Sequence, residues 1–546
     1  MTSSRRTTAA LLLLLGGPVA VGATAPPAVS AAPSAARPHG PSRPAPLDLG
    51  PVGLAETRTV QLLQPGVTLT RISRGGPDAA LAWTLEVRIP ATATAPDPAA
   101  PPRVIADRAS ADAEAQRLSA QGFVARVEEV ARPRAADVAP GTLGFRVRIG
   151  SYPSRAAADT AGAVVTARGG VVSAVYTGWD GDRSARGPWN VNVVTVDPRR
   201  FRGALVGSFG PDLRDRETTS QLARAAGASV AVNGGYFVLD PASGAPGDPA
   251  GVGVYDGRLL SEPVGDRPAL VLQQDARGSA VSRLRWQGSV RAQGRSTLLD
   301  GVDRVPGLVR NCGGDPTDLP TALPLHDVTC TDSSELVAFT PEYGPSTPAG
   351  PGREVVLDTR EVVREVRTVR GGPLPAGTTS LQATGELVPL LQTLTVGERV
   401  DVGTRLVDDR GRPVRRPGAT VVNGGPQLVR HGREAITQRR DGFVRPTDPS
   451  FSYGFVLKRN PRTFAGVDAH GRTVLVTVDG RSTEDLGLSV PESADVARSL
   501  GLVDALNLDG GGSTTLAVGG ALASRPSDTA GERPVGDALL VLPGRR

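Results

Sequence analysis

From residue 83 the chain alternates apolar and polar positions through Trp83, Leu85, Val87 and Ile89, the period of a half-buried strand. An Ala-rich helical stretch follows at 108–121, and alternation returns at 123–130. The scheme then repeats, with a strand at 145–149, a helix at 154–167 and a strand at 170–176. Two β-α-β units of this size predict a small ferredoxin-like βαββαβ sheet. Beyond residue 187 the pattern becomes that of a larger mixed α/β domain. A strand is predicted at 190–196, a short helix at 219–226 closed by Gly227, and a strand at 229–232 that runs into Asn233-Gly234-Gly235. Residues 280–400 read as a β-rich insertion of short β-branched runs between Pro/Gly turns. The fold class predicted is α+β.

The last third is the best specified. Ser489 and Glu492 form a candidate capping box. Val490, Ala494, Ala497 and Leu500 share one helical face, and Gly501 stands where a left-handed cap belongs. A strand then ends in Asn507-Leu508-Asp509, followed by Gly510-Gly511-Gly512-Ser513. Gly227 to Asn233 has the same spacing as Gly501 to Asn507, and Asn423-Gly424 closes a third strand. One Asn-Gly is by default a turn. Three strand-ending asparagines beside glycines suggest strands lying side by side around one site.

Composition adds an address. Arg5 and Arg6 precede an apolar run from Ala9 to Val21, and Val29-Ser30-Ala31 offers a small-residue cleavage site, the form of a secretory signal over 1–31, too short for a membrane span. Residues 32–79 begin rich in Pro, Ala and Ser and are expected to be a flexible leader. The mature protein should be secreted, extracellular or wall-associated. The net charge of +6 carries no basic cluster with interleaved aromatics, which disfavours nucleic acid. Cys312 and Cys330 are the two cysteines, and in an exported chain such a pair is expected to form one disulfide. The histidines His39, His326, His431 and His470 lack metal-ligand spacing, so neither zinc nor a Ser-His-Asp site is expected. No cofactor is evident, and no EF-hand spacing supports Ca²⁺.

The stretch 145–165, FRVRIGSYPSRAAADTAGAVV, resembles the SPOR family of peptidoglycan-binding domains, over residues 80–178. Six later segments, AVNGGYF, VVNGGPQLV, RNPRTFAG, LVTVDGR, ALNLDGGGSTTL and RPSDTAGERPVGDALLV, together resemble the phosphodiester glycosidase family, over 187–543. Phe464 departs from that pattern, where a smaller residue is expected. The resemblance implies hydrolysis of a sugar-1-phosphodiester at its anomeric carbon, and together with the SPOR-like module the expected substrate is a cell-wall or extracellular glycopolymer.

The residues supply a mechanism of their own. A carboxylate, Asp509 or Asp479, faces an oxocarbenium-like centre. Arg462, with Thr463 beside it, Arg481 and Arg533 hold the phosphate. Asn233, Asn423 and Asn507 meet sugar hydroxyls, and Gly510 and Gly511 bring bare backbone close. Because every such motif lies beyond 187, deleting 32–180 is expected to spare turnover of small substrates. The competing readings are a non-catalytic wall-binding protein and a phosphodiesterase that breaks P–O.

Overall fold

The computed structural model describes residues 45–310, 317–321, 328–414 and 416–544. The expected signal segment, Cys312 and hence the expected Cys312–Cys330 pairing lie outside the described residues, whereas Cys330 is buried on strand Val328–Thr331. None of the described helices is long and apolar enough to cross a membrane.

The glycosidase-like part is built on an eight-stranded sheet. Its order is Glu56–Gln64, Val67–Arg74, Trp189–Val196, Thr473–Val478, Arg462–Asp468, Leu502–Asn507, Gln427–Arg430 and Arg433–Glu434. Its central strands are buried on both faces, which explains why Thr473–Val478 and Arg462–Asp468 read as near-continuous apolar runs. One face packs Phe464, Val476 and Val478 against helix Val490–Ser499. A phenyl ring at 464 therefore fits because it is wholly buried there. The other face packs Ala465, Leu475 and Leu506 against Val232, Leu539 and Leu516 of a five-stranded sheet, and against Leu270 and Val422 of a second one.

The first two strands correct the expectation of a flexible leader. Strands Glu56–Gln64 and Val67–Arg74 form a hairpin around Pro65-Gly66, with Gly66 at φ +79°; Val67 and Leu69 are buried on one face and Ile72 on the other. Val67–Arg74 then pairs along its whole length with Trp189–Val196, Arg74 opposite Trp189. The hairpin is thus an integral part of the sheet.

Between those two neighbouring strands the chain makes an excursion. Strands Trp83–Val87, Ala125–Arg132, Gly141–Tyr152 and Val172–Tyr176 form an antiparallel sheet, with helices Arg108–Ala120 and Arg155–Ala167 on one face. Numbered along the excursion, the spatial order is 2-3-1-4, the ferredoxin-like arrangement expected from the alternation. Asp107 and Ser154 cap the two helices.

The inserted β structure starts a little later than residue 280. Strand Ala280–Arg283 pairs with Pro268–Leu272 in a main sheet, and the separate sheets begin at Arg285–Ala292, which pairs with Asp401–Val407.

Candidate functional site

The three strand-ending asparagines belong to three different sheets, not to adjacent strands of one: Val230–Asn233, Thr420–Asn423 and Leu502–Asn507. Their ends nevertheless converge. All three side chains are buried, and their amide donors are committed to the protein, whereas Asn507 Oδ1 has no partner among the described residues. Asn233 Nδ2 donates to the Asp509 carbonyl (2.8 Å), and its Oδ1 accepts from Thr463 Oγ1 (2.6 Å) and Thr515 N (3.1 Å). Asn423 exchanges two 3.0 Å bonds with the backbone of Tyr236. Asn507 Nδ2 donates to Tyr236 Oη (2.8 Å) and to the carbonyl of Gly425 (3.2 Å). The expectation that they hold sugar hydroxyls is therefore corrected: they tie the strand ends together, because a buried amide must spend its donors on the nearest carbonyls. The glycines beside them allow that close approach. A Cβ at Gly234 would strike the Asp537 carboxylate, and one at Gly424 would lie 2.7 Å from the Asn507 carbonyl.

A pocket of about 350 Å³ opens at this convergence, lined by Phe451, Phe455, Asn460, Arg462, Arg481, Asp509, Gly510–Gly512 and Arg533, with Ser450 and Gly454 at the wall. Asp509 sits at its base, with its own N–H bonded to Gly234 O (3.1 Å) and its Oδ1 accepting from Gly510 N (2.9 Å). Burial pushes its carboxyl up to about 6, against the opposing pull of Ser513, Gly510 N–H and Arg533. Arg533 forms an ion pair with Asp528 (2.6 Å), packed so closely on Gly512 that any side chain there would collide with it. Arg481 holds Asn460 Oδ1 from an exposed, left-handed backbone position at φ +61°, and a Cβ on Gly511 would lie 2.9 Å from its guanidinium. That conformation is costly for a residue other than glycine.

Arg462 lines the pocket but is also tied into the aromatic wall. Its guanidinium is buried beneath Phe455 (5.1 Å to the ring) and donates to the carbonyls of Leu488 (2.8 Å) and Phe455 (2.5 Å). Burial pulls it down to about 10. It buttresses the aromatic wall more than it reaches into the cavity. Asp479 is not among the lining residues. Its Oδ1 accepts from Arg525 N (3.1 Å), at the start of the loop that carries Asp528 and Arg533. Burial pushes Asp479 up to about 7.

That displacement has a measurable consequence. An acid whose folded value lies above its ordinary one binds its proton preferentially in the native state, so stability falls as pH rises from about 4 to about 7. Asp479→Asn keeps an acceptor for Arg525 N and is expected to be more stable than wild type at pH 8, by on the order of 2 kcal/mol. The gain should vanish at pH 4, and turnover per folded molecule should stay within about tenfold. Thermal unfolding at the two pH values checks this.

Sequence reading missed Phe451, Phe455, Asn460, Asp528 and Asp537. The aromatic cluster had a signal. In a chain with only 4% aromatics, Phe443, Phe451, Tyr453 and Phe455 crowd a short stretch. Phe455 stacks on Phe443 (4.8 Å) and Phe451 (5.9 Å), forming one wall. Asp537, which accepts from Gly235 N (2.8 Å) and Tyr255 Oη (2.7 Å), gives no such signal.

Residues 352–542 match the family model for phosphodiester glycosidase, and residues 104–177 match that for the SPOR domain. The chain carries a phosphodiester glycosidase domain and a SPOR domain. The glycosidase match contains Asp509, Arg481, Arg533 and the whole aromatic wall. Among relatives, the N-acetylglucosamine-1-phosphodiester alpha-N-acetylglucosaminidase of Bos taurus is 34% identical over 142 residues, 25% of this chain and 27% of that protein. The chain thus aligns with about a quarter of that relative's length. A candidate exported protein of Burkholderia pseudomallei K96243 superposes with a TM-score of 0.80 at 33% identity, covering 92% of this chain and all of that one. A hypothetical protein from Synechocystis shares the fold at a TM-score of 0.51 and 18% identity, over 91% of this chain and 81% of its own. Among the described residues, no three His, Cys, Asp or Glu side chains cluster in a way that would hold a metal ion.

Proposed function

We propose that this protein is a secreted hydrolase that cleaves a sugar-1-phosphodiester of the N-acetylglucosamine-1-phosphate type at the anomeric C–O bond, on a cell-wall or extracellular glycopolymer. The observation that carries this reading is the pairing, in one pocket, of the Asp509 carboxylate with the guanidinium groups of Arg481 and Arg533 beside an aromatic wall. A carboxylate suits the positive character that develops at an anomeric carbon. Fixed cations and the N–H groups of the glycine run suit the charge that gathers on a departing phosphate monoester. In the balanced step, water oxygen bonds to the anomeric carbon. The electron pair of the broken C–O bond stays with the phosphate oxygen, and one water proton leaves to solvent or to the phosphate. The SPOR domain supports contact with peptidoglycan.

Hydrolysis in ¹⁸O-water tests the bond that breaks. Label in the sugar is expected. Label in the phosphate overturns the reading in favour of P–O cleavage. Because Asp509 acts as the carboxylate, turnover should rise as pH passes upward through about 6 and then level off. Arg481→Lys keeps the charge but loses the planar fork, so KM should rise about tenfold with kcat nearly unchanged, read from steady-state kinetics on a small diester.

A further inference from the structure

The helix-free face of the SPOR sheet is normally the open side of such a layer, yet here it is covered. Glu86 and Arg148, neighbours across strands Trp83–Val87 and Gly141–Tyr152, are buried on that face. Arg148 grips Asp180 through two 2.6 Å bonds and also reaches Glu86 (3.1 Å). The other partners come from the glycosidase domain. Tyr453 Oη donates to Glu86 (2.7 Å) and accepts from Arg146 (2.8 Å), and Lys458, the sole lysine of the chain, pairs with Glu86 (2.9 Å). Burial alone would raise the Glu86 carboxyl, but Lys458 and Arg148 outweigh it and hold it at about 2. Ile105 and Val130 of the SPOR domain pack on the Tyr453 ring, and Ile105 N donates to Ser450 Oγ (3.0 Å).

The segment gripped in this way is the pocket wall. Ser450, Phe451, Gly454 and Phe455 line the cavity, and Tyr453 stands among them, facing away into the SPOR domain. Tyr453 opens the single π-helical turn Tyr453–Leu457, a wide turn of a kind that recurs at functional sites and needs outside support. We infer that Tyr453 is a positioning residue for the pocket: the SPOR domain, through Glu86, Arg146 and Arg148, fixes Tyr453 and so sets the Phe451–Phe455 wall that receives the sugar. The inference rests on the hydrolase reading for its catalytic half only.

The test uses the full chain with Tyr453→Phe and, separately, Glu86→Gln. Tyr453→Phe keeps the ring and its packing and removes only the hydroxyl that joins Arg146 to Glu86. Amide hydrogen exchange over 450–458 is expected to quicken about tenfold in each variant while 473–478 stays unchanged, the scale of one lost buried hydrogen bond. KM for a small sugar-1-phosphodiester should rise about tenfold, with kcat within twofold and the pH profile unmoved. The double variant should cost less than the sum of the two single ones, because Tyr453→Phe and Glu86→Gln act on one network, the first removing its hydroxyl and the second the charge facing Lys458 and Arg148. Unchanged exchange at 450–458 overturns the coupling, and quickened exchange with unchanged KM overturns the positioning role. If wild type turns over no sugar-1-phosphodiester, the hydrolase reading falls, and the exchange result alone decides whether the SPOR domain holds this segment.

Discussion

Asp509→Asn is expected to lower turnover at least ~100-fold and leave the fold intact, the scale of removing one electrostatic group from a preorganised site. The fold should survive because the main-chain ties of residue 509 do not involve its charge: its N–H meets Gly234 O and its carbonyl accepts from Asn233. An amide can still accept from Gly510 N, as the carboxylate does now at 2.9 Å. What the amide lacks is negative charge facing the sugar. The pocket magnifies that loss, since the burial that lifts the carboxyl to about 6 also leaves little solvent to screen the anomeric centre. Removing a buried charge at neutral pH should also raise stability slightly, so lower activity with an equal or higher melting temperature is the signature expected. Near-normal turnover in a folded variant would show that Asp509 only shapes the glycine turn.

The second large effect concerns the N-terminal hairpin. Deleting residues 46–74 should abolish soluble folded protein, although no candidate catalytic residue lies there. Val67, Leu69 and Ile72 are buried in the two main cores, and their strand supplies the backbone partners of Trp189–Val196 across eight residue pairs. Without it, a buried strand becomes an edge with unpaired polar groups. The expectation that residues 32–180 could be removed without harm fails for this reason. The comparison to make is excision of residues 78–185 with a short Gly-Ser bridge. Arg74 and Trp189 are already neighbours, so that chain can close a hairpin and fold, while losing the support of Tyr453. Soluble expression and circular dichroism separate the two deletion variants. A soluble, folded 46–74 deletion would refute the role given to the hairpin.

Local structure was largely legible from sequence, because its causes are local. The Ser489–Glu492 capping box forms, Gly227 takes its left-handed cap at φ +63°, and the alternation from residue 83 becomes the ferredoxin-like sheet. The hairpin at 56–74 was obscured by the Pro- and Ala-rich stretch before it. The site was half legible. Asp509, Arg481 and Arg533 do meet, but a strand-ending asparagine beside glycine looks the same whether its amide serves a ligand or a neighbouring strand. Only the fold shows where the donors go. Arg462 lines the pocket as expected, but the carbonyls of Phe455 and Leu488 that take its Nη2 and Nε reach it only through tertiary packing, which sequence does not show.

The excursion between two paired strands also orders assembly in time. Val67–Arg74 leaves the ribosome long before its partner Trp189–Val196, and joining them directly would mean closing a loop of more than a hundred residues, each doubling of which costs about 0.6 kcal/mol. The intervening domain shortens that search, because its first and last strands are themselves paired, Trp83 opposite Tyr176. Once it folds, it delivers both flanking strands to nearly the same point. The same geometry makes the attachment hard to lose. A domain joined by one linker is shed by a single proteolytic nick, whereas this one has two connections and a strand pair closing over them, so a nicked chain remains in one piece.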